Sequence, residues 1–283
     1  MEINTKAFVQ QWKEELKAEL IKMNTTPKLL IIMAKDYSKP SKTYVNNKIK
    51  IGAELGIETL LHEIEWENKN KEELVIEIKN VINSYSDYAV IVQLPFPQIR
   101  EEDLSNIIPA NRDADGFTNE QKGKLISGST DALIPCTALG VIKLLKHIHG
   151  DLTGKTIAIV NRSNLIGKPL LHLALQHNMT PTIIHTKTDA LDASITIETS
   201  SIVVTGCGKR KLFNHRDFND DFTETIIDCS MHTEEGIPGV GDCDKEDILN
   251  HFNNINIASG YGHTGLLTVC ALFDNTIKIY KSK

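Results

Sequence analysis

The sequence has no apolar run of about 18 residues, so no transmembrane helix is expected. Its first residues, M-E-I-N-T-K, lack an apolar region, and no signal peptide is expected either. A formal net charge of −6 leaves no basic surplus, which argues against nucleic acid or a membrane surface as a partner. We therefore expect an ordinary soluble globular protein.

The five cysteines are odd in number and never spaced as C-x-x-C. This argues against a disulfide framework or a zinc site, and it fits a reducing cytoplasm. We therefore expect no bound metal. The length of 283 residues corresponds to one large or two medium domains.

Strand and helix patterns alternate along most of the chain, which predicts an α/β fold with parallel pairing. Residues 108–128 have little periodicity and are expected to form a long, functional connection. The predicted strands are 29–33, 58–64, 88–94, 156–160, 182–185, 201–205, 225–228 and 254–258. The predicted helices are 6–23, 44–55 (closed by Gly56), 72–83, 137–149, 168–178 and 264–280.

Residues 154–175 read as a strand, a tight turn and a helix, the unit that places backbone N–H groups against a phosphate. The usual G-x-G-x-x-G fingerprint is missing. Its positions are held by Asn161, Ser163 and Ile166, and Gly167 is the only glycine of the turn. On spacing alone, an ordinary crossover in a parallel sheet explains the pattern equally well.

Two further groups of polar residues are candidates for chemistry. Tyr44 and Lys48 share one face of a predicted helix, where an aromatic ring and an amine can clamp a substrate and move a proton. The alternative is that Lys48 is a surface lysine. Gln93 ends a predicted strand, and Asp113 and Asp115 precede Gly116; the alternatives are a glutamine that satisfies loop backbone and ordinary turn chemistry.

Five short motifs together resemble the bifunctional methylenetetrahydrofolate dehydrogenase/methenyltetrahydrofolate cyclohydrolase (FolD) family, over nearly the whole chain. The motifs are Tyr44-Val45-x-x-Lys48-x-Lys50, Val92-Gln93-Leu94-Pro95-x-Pro97, Asp113-x-Asp115-Gly116-Phe117, Pro135-Cys136-Thr137-x-x-Gly140-Val141 and Arg162-Ser163-x-x-x-Gly167-x-Pro169.

The resemblance implies two domains: a folate-binding catalytic domain of residues 1–136 and 264–283, and a Rossmann-like NADP-binding domain of residues 137–263. It also implies a homodimer formed through the second domain. The implied activities are oxidation of 5,10-methylenetetrahydrofolate to the methenyl form with NADP, and hydrolysis of that product to 10-formyltetrahydrofolate.

Residue roles follow from the resemblance position by position. Lys48 is implied as the catalytic amine, tuned by Gln93, with Tyr44 stacking on the folate and Asp115 holding the pterin. Arg162 and Ser163 are implied to bind the 2′-phosphate of NADP. Further folate contacts are assigned to Leu94, Pro95, Gly262 and Gly265, and further NADP contacts to Asn161, Gly167, His185, Thr186, Gly206 and Gly208.

The chain departs from the family at several positions. Asn161 stands where the family usually has glycine, Ala138 replaces a proline, and Asp228-Cys229-Ser230-Met231 replaces Asp-Val-Gly-Ile. The loop 261–268 is the largest departure, because it carries Tyr261 and His263 where the family has smaller residues. Two alternatives stay open: a different NADP-linked dehydrogenase of the shikimate or malic type, and a diverged paralogue with cyclohydrolase activity or folate binding only.

Overall fold

The computed structural model describes residues 1–234, 237–260 and 262–282 and confirms the α/β class with two parallel sheets. The chain forms two compact units. The first unit comprises Met1–Gln11 and Pro135–Thr268, and the second comprises Trp12–Ile134 and Val269–Lys283. This division differs from the boundaries expected above, mainly because residues 1–11 belong to the first unit.

The second unit is built on a three-stranded parallel sheet in the order β2-β1-β3. The sheet contributes to a hydrophobic core whose buried side chains include Ile32, Ile78 and Val90. The elements that begin before residue 135 are α1 (Thr5–Ile21, whose first turns lie in the first unit), β1 (Lys28–Ala34), α2 (Lys39–Leu55), β2 (Glu58–Ile64), α3 (Lys71–Ser84), β3 (Ala89–Val92), α4 (Glu101–Leu104) and α5 (Asn119–Ile126).

The first unit contains a five-stranded parallel sheet in the order β10-β7-β6-β4-β5, together with an antiparallel hairpin of β8 and β9. The elements after residue 135 are α6 (Cys136–His149), β4 (Thr156–Val160), α7 (Gly167–Gln176), β5 (Thr180–Ile183), α8 (Ala190–Glu198), β6 (Ile202–Thr205), β7 (Thr225–Asp228), β8 (His232–Glu234), β9 (Ile237–Val240), α9 (Lys245–His251), β10 (Asn256–Ala258) and α10 (Thr264–Lys281, most of which lies in the second unit).

Local signals explain several helix ends. Gly56 ends α2 at φ 79°, as predicted, since a left-handed C-cap favours a residue without Cβ. Asn70 and Glu73 form a capping box at the start of α3, and Asp189 caps α8 by accepting a hydrogen bond from the Leu191 N–H. No helix within the described ranges combines the length and apolar character needed to cross a membrane.

Two expectations from the pattern were wrong in detail, and some elements were not predicted. The strand expected at 182–185 lies at 180–183, and His185 belongs to the following turn. The connection 108–128 is not structureless, because it contains α5, capped by Thr118. The hairpin β8–β9 and helix α9 were not predicted at all.

Candidate active site

In the second unit, the amine of Lys48 is held by Gln93. Helix α2 carries Lys48, and Gln93 directly follows β3, where its N–H donates to the Ile32 carbonyl of β1. Lys48 Nζ donates to Gln93 Oε1 at 2.8 Å, and Lys48 is only 8% exposed. Gln93 Nε2 donates in turn to the Leu94 carbonyl at 2.7 Å. This second bond directs the amide oxygen of Gln93 towards the amine.

Tyr44 lies one helical turn before Lys48 on α2 and is 38% exposed. A partly exposed aromatic side chain one turn from a nearly buried amine is placed where it can contact a flat ligand ring. Leu94 and Pro95, joined by a cis peptide bond, continue the chain immediately after Gln93. The structure thus brings Lys48 and Gln93 into contact and places Tyr44, Leu94 and Pro95 beside them in the chain.

Asp113 and Asp115 lie on a segment that pairs with the edge strand β3, since the Ala114 N–H donates to the Val90 carbonyl. Asp113 is fully buried, and its Oδ2 accepts from the Thr118 N–H at 2.7 Å. Burial raises the pKa of Asp113 to about 6. Asp113 therefore shapes the turn that leads into α5. Asp115 is also largely buried.

In the first unit, the turn after β4 is organised by Asn161. Its Oδ1 accepts from the N–H groups of Ser163 at 2.8 Å and Gly167 at 3.0 Å, while its Nδ2 donates to the Gly206 carbonyl at 2.6 Å. The Ser163 hydroxyl accepts from the Ile166 N–H. Three N–H groups that a phosphate-binding turn usually offers are therefore used within this turn. An anion bound at this turn would therefore be contacted mainly by side chains.

Gly167 is required by close packing. A Cβ at this position would lie 2.1 Å from the Asn161 carbonyl oxygen and 2.9 Å from the Arg162 nitrogen. The first turn of α7 therefore lies against the turn backbone, and any side chain would force the two apart. Gly206 is less constrained, since its Cβ would meet the Asn161 amide at 3.1 Å.

A cavity of about 500 Å³ opens at the carboxyl ends of β4, β5 and β6. Chain order reverses between β4 and its two neighbours, which is where open α/β sheets bind nucleotides. Six predicted cofactor residues line it: Asn161, Arg162, Ser163, His185, Thr186 and Gly206. Gly167 and Gly208 do not. The other lining residues are Val160, Ile184, Cys207, Lys209 and Leu212.

Lys209 is the most consequential lining residue that the sequence did not reveal. Its backbone N–H donates to Asp242 Oδ1 at 2.8 Å, and the Cys207 N–H donates to Oδ2 of the same residue. Asp242 follows β9 and is fully buried. The position of Asp242 just after a strand could have drawn attention to this contact, but β9 was not predicted.

The loop after β10 contains Gly262 and Gly265, which were predicted to contact substrate. Gly262 has a φ of 88°, and Gly265 lies in the first turn of α10. The ring of His263 turns towards the N-terminal segment: its Nδ1 is 2.9 Å from Thr5 Oγ1, and its Nε2 is 3.2 Å from Glu2 Oε1. Tyr261 lies outside the described residues.

The two sites offer complementary chemistry. A shielded primary amine whose position is fixed by an amide can accept or deliver a proton. A sheet-edge cavity with an arginine, a lysine and two hydroxyl groups suits a phosphorylated ligand. Neither site contains a cluster of metal-ligating side chains among the described residues.

Comparisons with known proteins identify the family. Two family models match: "Tetrahydrofolate dehydrogenase/cyclohydrolase, catalytic domain" over residues 3–115 and "Tetrahydrofolate dehydrogenase/cyclohydrolase, NAD(P)-binding domain" over residues 135–283. The bifunctional protein FolD of Rickettsia massiliae (strain Mtu5) is 34% identical over 284 residues, which cover 99% of this chain and 96% of the relative.

Solved structures give the same result. The bifunctional FolD methylenetetrahydrofolate dehydrogenase/cyclohydrolase of Campylobacter jejuni superposes with a TM-score of 0.89 at 30% identity, covering 100% of this chain and 99% of that one. The Trypanosoma brucei enzyme, solved with NADP and an inhibitor, gives 0.85 at 25% identity and covers 100% and 97%. The chain therefore belongs to the tetrahydrofolate dehydrogenase/cyclohydrolase family.

Proposed function

We propose that this chain oxidises 5,10-methylenetetrahydrofolate to 5,10-methenyltetrahydrofolate with NADP and hydrolyses the product to 10-formyltetrahydrofolate. The observation that carries the proposal is the hydrogen bond from the nearly buried Lys48 amine to Gln93. A nearly buried lysine that is held by a hydrogen bond is better placed than a solvated surface lysine to move a proton of water that attacks a cationic carbon.

Four residues of the second unit are proposed to act on the folate. Tyr44 stacks on the ring system, and Asp115 accepts hydrogen bonds from the pterin N–H groups. In the hydrolysis, water attacks the methenyl carbon and loses one proton to solvent, and the ring C–N5 bond then breaks as the remaining hydroxyl proton moves to N5, which gives the formyl product. Lys48 moves this proton, and Gln93 holds the amine in position. Leu94 and Pro95, with Gly262 and Gly265, are proposed as further folate contacts.

NADP is proposed to occupy the cavity at the end of β4, whose size and cationic lining fit a phosphorylated nucleotide. Arg162 and Ser163 are assigned to the 2′-phosphate, with His185 and Thr186 at the end of the neighbouring strand β5. Asn161, Gly167, Gly206 and Gly208 hold the turn and its facing loop in shape. When bound, the nicotinamide supplies the hydride acceptor for the methylene carbon.

One pair of assays tests the proposal: NADP-dependent oxidation of methylenetetrahydrofolate, followed by absorbance, and hydrolysis of methenyltetrahydrofolate without nucleotide. We expect both activities. Hydrolysis without oxidation would identify a paralogue that keeps only the cyclohydrolase. Turnover of a hydroxy acid and none of either folate would instead identify a shikimate- or malic-type dehydrogenase.

We further propose a homodimer formed through the first unit. Helix α8 exposes Leu191 at 67% and Ile195 at 50%, one helical turn apart, and such an apolar pair suits a subunit contact. Light scattering should give twice the chain mass for the wild type and a smaller mass for Leu191→Lys. A cytoplasmic location is also proposed, because all five cysteines are free thiols.

A further inference from the structure

Two histidines and an aspartate form a compact cluster on the first unit, away from the residues assigned above. His215 lies in a 3-10 turn, and Asp247 and His251 are four residues apart on α9. The two imidazole rings stack almost in parallel, with centroids 3.5 Å apart and an interplanar angle of 5°. One nitrogen of each ring and one carboxylate oxygen of Asp247 lie within 4.8 Å of one another.

Hydrogen bonds fix the tautomer of both rings. His215 Nδ1 lies 2.7 Å from Asp247 Oδ2, and His251 Nδ1 lies 2.8 Å from the Asp247 backbone carbonyl. Since a carboxylate and a carbonyl only accept, each Nδ1 carries the proton. Each ring in its neutral form therefore keeps a lone pair on Nε2, and neither Nε2 is bonded to any residue in the described ranges.

We propose that Nε2 of His215 and Nε2 of His251 bind one divalent transition-metal ion of the Zn²⁺ class, with Asp247 as the supporting carboxylate. Imidazole nitrogens are ligands that Zn²⁺, Ni²⁺ and Cu²⁺ prefer. A carboxylate that accepts the other ring N–H orients a histidine ligand and increases its basicity. Water completes the coordination shell, because the side chain of His251 is 48% exposed.

Asp247 holds His215 through two hydrogen bonds, since its Oδ2 accepts from the backbone N–H and from Nδ1 of His215, both at 2.7 Å. A shared ion must lie near the plane of each ring, so its binding requires the ring of His251, which is stacked on His215, to turn out of the parallel arrangement. The bound ion would then join the 3-10 turn to α9.

Titration calorimetry with Zn²⁺ on the metal-stripped full chain tests this site. We expect the wild type to bind one Zn²⁺ that His251→Ala does not bind. Asp247→Asn should weaken that site by roughly 10- to 100-fold, since outer-shell carboxylates contribute about this much to metal affinity. His172→Ala is the matched control, because it removes a half-buried histidine of α7 and should leave binding unchanged.

Thermal unfolding gives a second readout that is independent of enzymatic activity. Zn²⁺ should raise the midpoint of the wild type and of His172→Ala, and it should not raise that of His251→Ala. Identical isotherms for wild type and His251→Ala, or no Zn²⁺ bound to the wild type, would overturn the proposal.

Discussion

Lys48 Nζ and Gln93 Oε1 lie 2.8 Å apart although 45 residues separate them in the sequence. Replacing Lys48 with methionine keeps the length of the side chain and removes its proton transfer. We expect methenyltetrahydrofolate hydrolysis to fall by roughly 10²- to 10⁴-fold while folate still binds. Lys50→Met, which changes an exposed lysine on the same helix, should have near wild-type activity. Equal loss in both variants would contradict the assignment.

Asp115 is predicted to bind the pterin through its charge. Asp115→Ala should weaken folate binding by about 1.5–3 kcal/mol for each charge-assisted hydrogen bond lost, or roughly 10- to 150-fold. Asp115→Asn keeps the shape of the side chain and one acceptor oxygen, so its folate affinity should lie between those of the alanine variant and the wild type. Titration calorimetry with a stable folate analogue measures this, and unchanged affinity in the alanine variant would refute the role.

Gly167 is predicted to be irreplaceable for a steric reason. In Gly167→Ala, the new Cβ would lie 2.1 Å from the Asn161 carbonyl oxygen, so α7 or the turn must shift. We expect a loss of about 1–3 kcal/mol in stability and a higher KM for NADP.

Gly123→Ala is the control for Gly167→Ala, and its expected effect on stability has the opposite sign. Gly123 lies inside α5, and a Cβ there meets no atom within 4 Å. That substitution should stabilise the protein by up to about 1 kcal/mol, because alanine favours the helix. Urea unfolding midpoints compare the two, and equal midpoints would exclude the steric explanation.

Arg162 is predicted to select the cofactor. We expect NADP to be preferred over NAD by about tenfold or more, because the guanidinium can pair with a 2′-phosphate that NAD lacks. Arg162→Ala should narrow this preference, whereas Arg216→Ala, at an exposed arginine of the same unit, should leave it unchanged. Steady-state kcat/KM values with NADP and with NAD, for the wild type and both variants, measure this preference. Equal kcat/KM values of the wild type with NADP and NAD would contradict the prediction.

The buried carboxyl of Asp113 predicts a specific pH dependence of stability. Its folded pKa of about 6 exceeds the usual 3.8, so the folded state holds this proton more tightly than the unfolded state does. The wild type should therefore lose up to about 3 kcal/mol relative to Asp113→Asn as the pH rises from about 4 to 6. A stability difference that is constant over this range would contradict the prediction.

Asp131→Asn is the control for this pH series. Lys124 and Ser129 hydrogen-bond the exposed carboxylate of Asp131 and lower its pKa to about 2. The stability that this group contributes is present above pH 4 and is lost only as the pH falls towards 2. The difference between wild type and Asp131→Asn should therefore be flat between pH 4 and 7.

Short-range patterns predicted most of the fold and pointed to several candidate site residues. Gly56 marks the end of α2, and the spacing of Tyr44 and Lys48 places both on one helix face. The end of a buried strand placed Gln93 at the sheet edge where ligands bind. The bond between Lys48 and Gln93 was not readable from these patterns, because it depends on how α2 packs beside a strand distant in sequence.

Helix α5 shows why other elements were missed. It buries only two residues, Gln121 and Leu125, and Gln121 is polar and is satisfied by hydrogen bonds with the Ala110 carbonyl and the Leu133 N–H. Periodicity of apolar residues cannot detect such a helix. Lys209 was missed for a related reason, since its backbone is fixed by Asp242, a carboxylate 33 residues away.

The division of the chain has a consequence for how the protein is made. Each unit is assembled from two separate stretches, and the second unit needs Val269–Lys283, including the buried Phe273 of α10. A ribosome synthesises Val269–Lys283 after every residue of the first unit. The second unit, although it begins at Trp12, can therefore finish folding only after the whole first unit has been synthesised, in contrast to the usual order in which N-terminal domains fold first.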